Sequence, residues 1–154
     1  MFSFKRILVP IDFSRQSRYS LDNAILLAKK NKKSQLILLH VLPPVRAIDF
    51  PGPLLKEMDR ILERQKENSE AKLKGWRKAV PSSISCSILT RRGKTAPEII
   101  NACQSKLIDV VVLTTHGAQG LKRISRPNLS EAIVRSAPCP VLVCHIPPAK
   151  GVKR

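Results

Sequence analysis

The sequence is poor in aromatic and acidic residues. Aromatic side chains make up 4% of the chain, with one tryptophan and one tyrosine, so few platforms exist on which nucleic-acid bases could stack. Eleven Asp and Glu stand against twenty-eight Lys and Arg, giving a formal charge of +17. That excess predicts attraction to anions and salt-sensitive binding. A nucleotide, a nucleic acid and an acidic membrane surface are therefore the open classes of partner, with nucleic acid disfavoured by the low aromatic content.

Long apolar runs and several enzyme motifs are also missing. No apolar stretch approaches the roughly 20 residues that a membrane span needs, and the start is charged by Lys5 and lacks the apolar core of a signal peptide. We therefore expect a cytoplasmic protein. The phosphate-loop pattern G-x-x-x-x-G-K-[ST] and the G-x-S-x-G elbow are absent, and the three histidines have no acid or nucleophile at a recognisable spacing. We expect a protein that is not an enzyme.

The cysteines form no C-x-x-C pair, and each lies within or beside an apolar element. They are Cys86, Cys103, Cys139 and Cys144. This distribution favours reduced core thiols over a metal site or a disulfide.

Strands and helices alternate through the first half of the chain. Residues 7–11 and 35–42 are apolar runs typical of buried parallel strands. Ser14 is the expected N-cap of the helix between them, and residues 45–53 are expected to form a loop. A long amphipathic helix is predicted from Leu54 to about Trp76. One strand, helix and strand at this spacing predicts a right-handed parallel crossover.

The second half continues the alternation. Ile84, Cys86 and Ile88 alternate with serines, which predicts a third strand near a sheet edge. Thr95 and Glu98 have the spacing of a capping box for the next helix. Residues 108–144 then form one strand, loop, helix and strand unit. The count is five strands and four helices in a doubly wound α/β domain over residues 1–146, followed by a basic tail over residues 147–154.

Four segments carry a family resemblance. They are residues 6–14 (RILVPIDFS), 38–41 (LLHV), 114–117 (TTHG) and 138–143 (PCPVLV). In this order and spacing they resemble the universal stress protein family, from about residue 5 to residue 146. The resemblance implies a Rossmann-like parallel sheet of strand order 3-2-1-4-5, with helices on both faces. It also implies a homodimer through the edge strand Val141 to Cys144.

The resemblance further implies an ATP or AMP site at the carboxyl ends of strands 1 and 4. The positions that match nucleotide contacts of the family are Pro10, Asp12, Val41, Leu113, Thr114, His116, Gly117, Pro127, Asn128 and Leu129. Nucleotide-binding members carry Gly, two residues, Gly, nine residues, then Gly-Ser or Gly-Thr. At the corresponding positions this chain has Thr114, Gly117, Pro127 and Asn128. One glycine of the pattern, Gly117, therefore remains. Proline removes a backbone N–H and asparagine can cap its own helix, so we expect a retained sugar-and-base side and an altered phosphate side.

Nine cations follow the strands at the predicted carboxyl edge of the sheet. They are Arg15, Arg18, Arg46, Arg91, Arg92, Lys94, Lys122, Arg123 and Arg126, with Asp12 and Asp49 as the nearby acids. One interpretation is a solvated basic surface. The other is that guanidinium groups, above all Arg123 and Arg126, contact a phosphate in place of the missing backbone cradle. The lysines of residues 29–33 are expected at the opposite edge.

Three functions therefore stay open. The first is a non-catalytic binding or signalling module of the stress response with a degenerate nucleotide site. The second is an ATP- or AMP-binding member with an altered phosphate loop. The third is a basic nucleic-acid-associated protein.

Overall fold

The computed structural model describes residues 4–31, 33–49, 51–115 and 129–146. Strands and helices follow one another along the chain. They are β1 (Arg6–Pro10), α1 (Arg15–Lys29), β2 (Gln35–Leu42), a 3-10 helix (Ala47–Asp49), α2 (Gly52–Leu55), α3 (Met58–Arg77), β3 (Ser85–Arg92), α4 (Thr95–Ser105), β4 (Val110–Thr115), α5 (Leu129–Ser136) and β5 (Val141–His145).

The described strands form one parallel sheet in the order β3-β2-β1-β4-β5, which confirms the predicted fold class and strand order. Ile7 is in register with Leu36 of β2 and with Val110 of β4, so β1 lies at the centre. β3 lies at one edge, as the alternation of Ile84, Cys86 and Ile88 predicted. Because the order reverses between β1 and β4, their carboxyl ends flank the crevice where ligands of such sheets bind.

Apolar side chains of the sheet fill two cores, one on each face. On one face, Ile7, Val9 and Val112 pack with α1 and with Leu73 of α3. On the other face, the core is built around α4 and α5, and its buried members include Leu8, Leu39, Val111, Leu113, Ile99 and Ile133. Neighbouring residues of a strand point to opposite faces, so the unbroken apolar runs of β1 and β4 supply both cores.

The structure confirms one predicted helix cap and corrects another. Ser14 caps α1, and its side chain accepts a hydrogen bond from the Ser17 N–H at 3.2 Å. The prediction of Thr95 as a cap is wrong, because Lys94 holds the cap position and Thr95 is already the first helical residue. Glu98 therefore does not complete a capping box. It packs against Gly93, where an added Cβ would lie 2.8 Å from the Glu98 Cγ.

The segment predicted as a loop over residues 45–53 also differs from expectation. It contains the 3-10 helix and the start of α2, and the chain turns at residues 56–57 before α3 begins at Met58 rather than at Leu54. Proline is accommodated at the start of α2, where its missing N–H is not needed. The turn at residues 56–57 contains neither glycine nor proline, so no turn-forming residue marks it in the sequence. The helix count is accordingly five α-helices and one 3-10 helix within the described residues.

Candidate functional site

The described members of the predicted nucleotide site on β1, β2 and β4 lie at or near the carboxyl ends of these strands. Pro10 ends β1, Asp12 follows it, and Val41 lies near the end of β2. Leu113 is buried at 6% exposure and Thr114 is half-buried. Asp12 is exposed, so its carboxylate is open to a ligand.

The loop after β1 holds Asp12 as an anion. Its Oδ1 accepts the Ser14 backbone N–H at 2.9 Å. Partial burial by itself would raise the pKa of Asp12, but hydrogen bonds from Ser14 and Ser17 outweigh that effect and leave the pKa below its usual value. The carboxylate can therefore accept further hydrogen bonds, as from a ribose hydroxyl, while part of its capacity is used by the start of α1.

Thr114 directs its side chain toward α1. Its Oγ1 lies 2.8 Å from the Oγ of Ser20, which is buried at 2% exposure. The Ser20 Oγ also lies 3.2 Å from the Gln16 carbonyl oxygen, which accepts from it, and either hydroxyl can be the donor between Ser20 and Thr114. A glycine at this position would leave the backbone bare for a ligand, whereas threonine adds a side chain that is bonded to the protein.

An aromatic cluster that sequence analysis missed covers the α1 and α3 side of the same edge. The Phe13 ring lies 4.6 Å from the His40 ring and 5.7 Å from the Trp76 ring, centroid to centroid. Lys72 Nζ lies 5.5 Å from the Phe13 centroid and the Arg18 guanidinium 5.9 Å from that of Trp76, distances at which cations are attracted to rings. The rings of Phe13, His40 and Trp76 thus form one cluster next to Asp12.

The backbone at Phe13 is strained, with φ of 63°. A bulky residue in the left-handed region costs about 1–3 kcal/mol and persists where its surroundings hold it. Here His40 helps to hold the loop, since its Nδ1 donates to the Ile11 carbonyl at 2.6 Å. The residues between the end of β1 and the start of α1 are therefore held by contacts with His40 and Trp76. No glycine marked the turn in the sequence.

His145, at the end of β5, has a structural contact. Its Nδ1 lies 3.0 Å from the Oγ1 of Thr115, its register partner on β4. This pairing joins the carboxyl ends of β4 and β5.

Several of the predicted cations are engaged by neighbouring groups. Arg91 lies 3.7 Å from Glu98 and donates to the Ser105 hydroxyl at 2.6 Å. Arg18 pairs with Asp22 at 3.3 Å and Arg46 with Asp49 at 3.6 Å. Asp22 and Glu98 thus join Asp49 as counter-charges, which the sequence did not indicate.

The cations also do not all face one point. Arg91 and Arg92 are consecutive residues of β3, so their side chains leave opposite faces of the sheet. Arg91 contacts α4 residue Ser105, whereas Arg92 reaches Leu62 and Gln65 of α3. Both lie at the edge strand rather than beside β1 and β4.

Part of the predicted site lies outside the described residues. These positions are His116, Gly117, Lys122, Arg123, Arg126, Pro127 and Asn128. Leu129 is the first residue of α5 and is 42% exposed. The described positions are therefore those expected on the sugar-and-base side, together with Leu113, Thr114 and Leu129.

The four cysteines are free. Burial is the main reason why the pKa of Cys86 rises to about 11 and, with its neighbour Cys139, why that of Cys103 rises to about 12. Protonated thiols are poor nucleophiles and poor ligands. Among the described residues, no group of three or more His, Cys, Asp or Glu side chains is placed to hold a metal ion.

The strand order is that of a doubly wound α/β sheet. Comparison with known proteins gives the family. The model of the universal stress protein family matches residues 3–145. The chain belongs to that family. It is 29% identical to the universal stress protein YxiE of Bacillus subtilis (strain 168), over 91% of this chain and 98% of YxiE.

Solved structures show the same fold. The universal stress protein UspA from Lactobacillus plantarum matches with a TM-score of 0.74 and 21% identity, covering 93% of this chain and 99% of that one. A universal stress protein in complex with cAMP matches at 0.62 and 16% identity, covering 94% and 98%. A family protein from Arabidopsis thaliana with AMP bound matches at 0.58 and 13% identity, covering 97% and 96%. None of the helices that the structure describes combines the length and the apolar character of a membrane span.

Proposed function

We propose that this universal stress protein is a non-catalytic, cytoplasmic binding or signalling module of the stress response, whose nucleotide site is degenerate on its phosphate side. The observation that carries the proposal is the position and bonding of the Thr114 side chain. Where nucleotide-binding members have glycine, this chain has a branched side chain bonded to Ser20 at 2.8 Å. The sequence changes at Pro127 and Asn128 act in the same direction.

An adenine nucleotide remains the ligand class that the retained half fits best. Asp12 is exposed and its lowered pKa keeps it ionised, while Pro10 and Val41 offer half-buried apolar surface beside it. Two family structures hold cAMP and AMP, ligands with a single phosphate. If a nucleotide binds here, a monophosphate therefore suits the altered loop better than ATP. A nucleic-acid role has the charge of +17 in its favour, but few stacking rings.

Calorimetric titration with ATP, ADP and AMP tests the proposal. We expect weak or undetectable binding of ATP by the natural chain. The double substitution Pro127→Gly with Asn128→Ser is expected to strengthen ATP binding by about tenfold or more. Tight ATP binding by the natural chain would overturn the proposal. If the double variant gains nothing, Thr114→Gly is the next change, because Thr114 is the described obstacle.

The same proposal includes a homodimer through β5. This strand lies at the edge of the sheet, and Leu142 on it is 41% exposed. An exposed apolar edge strand readily pairs with another strand, and a second copy of the chain presents the same edge.

Sedimentation at micromolar concentration tests the dimer. Leu142→Lys is expected to convert dimer into monomer, because a charge would be buried between the paired edges. Leu26→Lys is the matched control, since Leu26 is a 59% exposed leucine on α1. A natural chain that sediments as a monomer would refute this part of the proposal.

A further inference from the structure

A second cavity lies beside the edge strand β3, under the first half of α3. Its volume is about 310 Å³, which is at the small end of known ligand sites. Its lining consists of Leu42, Asp59, Leu62, Glu63, Lys66, Thr90, Arg91 and Arg92. None of these residues belongs to the nucleotide positions of the β1–β4 crevice.

Arg92 offers this cavity a fixed positive charge. Its guanidinium donates to the Pro43 carbonyl at 3.2 Å, to the Leu62 carbonyl at 3.4 Å and to Gln65 Oε1 at 3.0 Å. These acceptors are all neutral, and among the described residues Arg92 forms no ion pair. The side chain is thus held in place while its charge stays uncompensated, which suits it to receive a carboxylate.

Asp59 offers the opposite charge on the same cavity. It is an exposed residue of the first turn of α3 and forms no ion pair with any described residue. Of the remaining charges, Glu63 and Lys66 pair with each other at 3.9 Å, and Arg91 is paired with Glu98. Asp59 and Arg92 are therefore the two open charges of the lining, and they are of opposite sign.

The inner surface of the cavity combines apolar and polar groups. Leu42 and Leu62 supply apolar contact. The hydroxyl of Thr90 is buried without a hydrogen-bond partner among the described residues, as is that of Ser69 on the neighbouring turn of α3. Buried hydroxyls are normally paired, so hydrogen-bonding capacity is left over under α3.

We infer that this cavity binds a small zwitterion of the α-amino acid class, with the ligand carboxylate on Arg92, the ammonium on Asp59 and an apolar side chain against Leu42 and Leu62. A ligand with one charge would satisfy one of the two open groups. A zwitterion satisfies both, because its two charges are opposite in sign to the two open charges of the lining. The cavity thereby gives the domain a ligand site separate from the nucleotide crevice.

Backbone NMR of the ¹⁵N-labelled full chain tests the inference. The standard L-amino acids are added in turn, and the probe for the full analysis is L-leucine. Saturable shifts are expected at Leu62, Thr90 and Arg92. Two fragments dissect the charges: 4-methylpentanoate lacks the ammonium and 3-methylbutylamine lacks the carboxylate. Each is expected to bind at least about tenfold more weakly, since a charge-assisted hydrogen bond is lost.

A matched pair of variants completes the experiment. Asp59→Asn is expected to weaken L-leucine binding by about tenfold or more and to leave 4-methylpentanoate unaffected. Glu67→Gln removes the same charge from an exposed residue of α3 outside the cavity and is expected to change neither. The inference is overturned if none of the amino acids gives saturable shifts, if either fragment binds as well as L-leucine, or if the two variants behave alike.

Discussion

The carboxyl edge of the sheet has two regions that differ in how their polar groups are paired. At the centre, beside β1 and β4, Asp12 accepts a hydrogen bond from Ser14, and the Thr114 and Ser20 hydroxyls are hydrogen-bonded to each other. At the β3 end, Asp59 has no ion pair and the Thr90 hydroxyl has no partner among the described residues. The family's nucleotide crevice is thus the region whose side chains are already bonded to the protein.

This difference bears on where a ligand gains free energy. The Thr114 hydroxyl is bonded to Ser20, so a ligand that reaches it must replace that hydrogen bond and the net gain is small. A ligand that reaches an unpaired buried group removes a penalty of about 1–3 kcal/mol. The comparison therefore explains why we expect weak nucleotide binding at the centre and a separate ligand at the β3 end.

The largest effect on stability is expected where a central pair is broken. Ser20→Ala leaves the Thr114 hydroxyl without its partner and should lower the free energy of unfolding by about 1–3 kcal/mol. Urea unfolding measures this loss. The double variant Ser20→Ala with Thr114→Val removes both partners and should recover part of it. Strictly additive losses would show that the pair is not coupled.

A smaller effect of opposite sign is expected at the β3 end. Thr90→Val replaces the unpaired hydroxyl with a methyl group of similar shape, so the free energy of unfolding should stay constant or rise by up to about 1 kcal/mol. Thr114→Val is the matched control, since the same substitution there removes a hydrogen bond and should destabilise. If both variants are destabilised equally in urea, the contrast between the two regions is wrong.

The smallest expected effect is the contribution of Asp12 to the pH dependence of the free energy of unfolding. Its pKa is lower in the folded chain than in the unfolded chain, where it is about 3.9. Ionised Asp12 therefore stabilises the fold above the unfolded pKa, and this contribution is lost as pH falls through the folded pKa. Asp12→Asn should be less stable than the natural chain at pH 7, and the difference should shrink as pH falls through the folded pKa of Asp12. A difference that is independent of pH would contradict the assignment.

Much of the fold could be predicted because its signals are local. Continuous apolar runs marked the buried strands, alternation with serines marked β3 as an edge, and Ser14 was recognised as a cap. The strand order came from the family resemblance. Thr95 was misassigned because a capping pattern can be shifted by one residue when the preceding residue, here Lys94, adopts the extended cap conformation.

The contacts of the site were harder to predict because they join distant segments. Ser20 and Thr114 are 94 residues apart, and no spacing rule connects them. The cations illustrate the same limit. Topology placed Arg91 and Arg92 at one edge, but the alternation of side chains along β3 sends them to different faces, and their partners Glu98 and Gln65 come from separate helices. Phe13 has a positive φ, a conformation that a glycine in the sequence would have indicated and a phenylalanine does not.

The most direct test of the account is the ratio of ATP to AMP affinity in the natural chain. It should be measured by calorimetry near 0.5 M salt, where the Debye length is only about 4 Å and the diffuse attraction of a charge of +17 is screened. A crevice with an intact sugar-and-base side and an altered phosphate side gains little from two more phosphates. We expect ATP to bind no more than a few-fold better than AMP, or neither to bind. ATP binding more than about tenfold tighter than AMP would contradict the account, because it would show a working phosphate cradle.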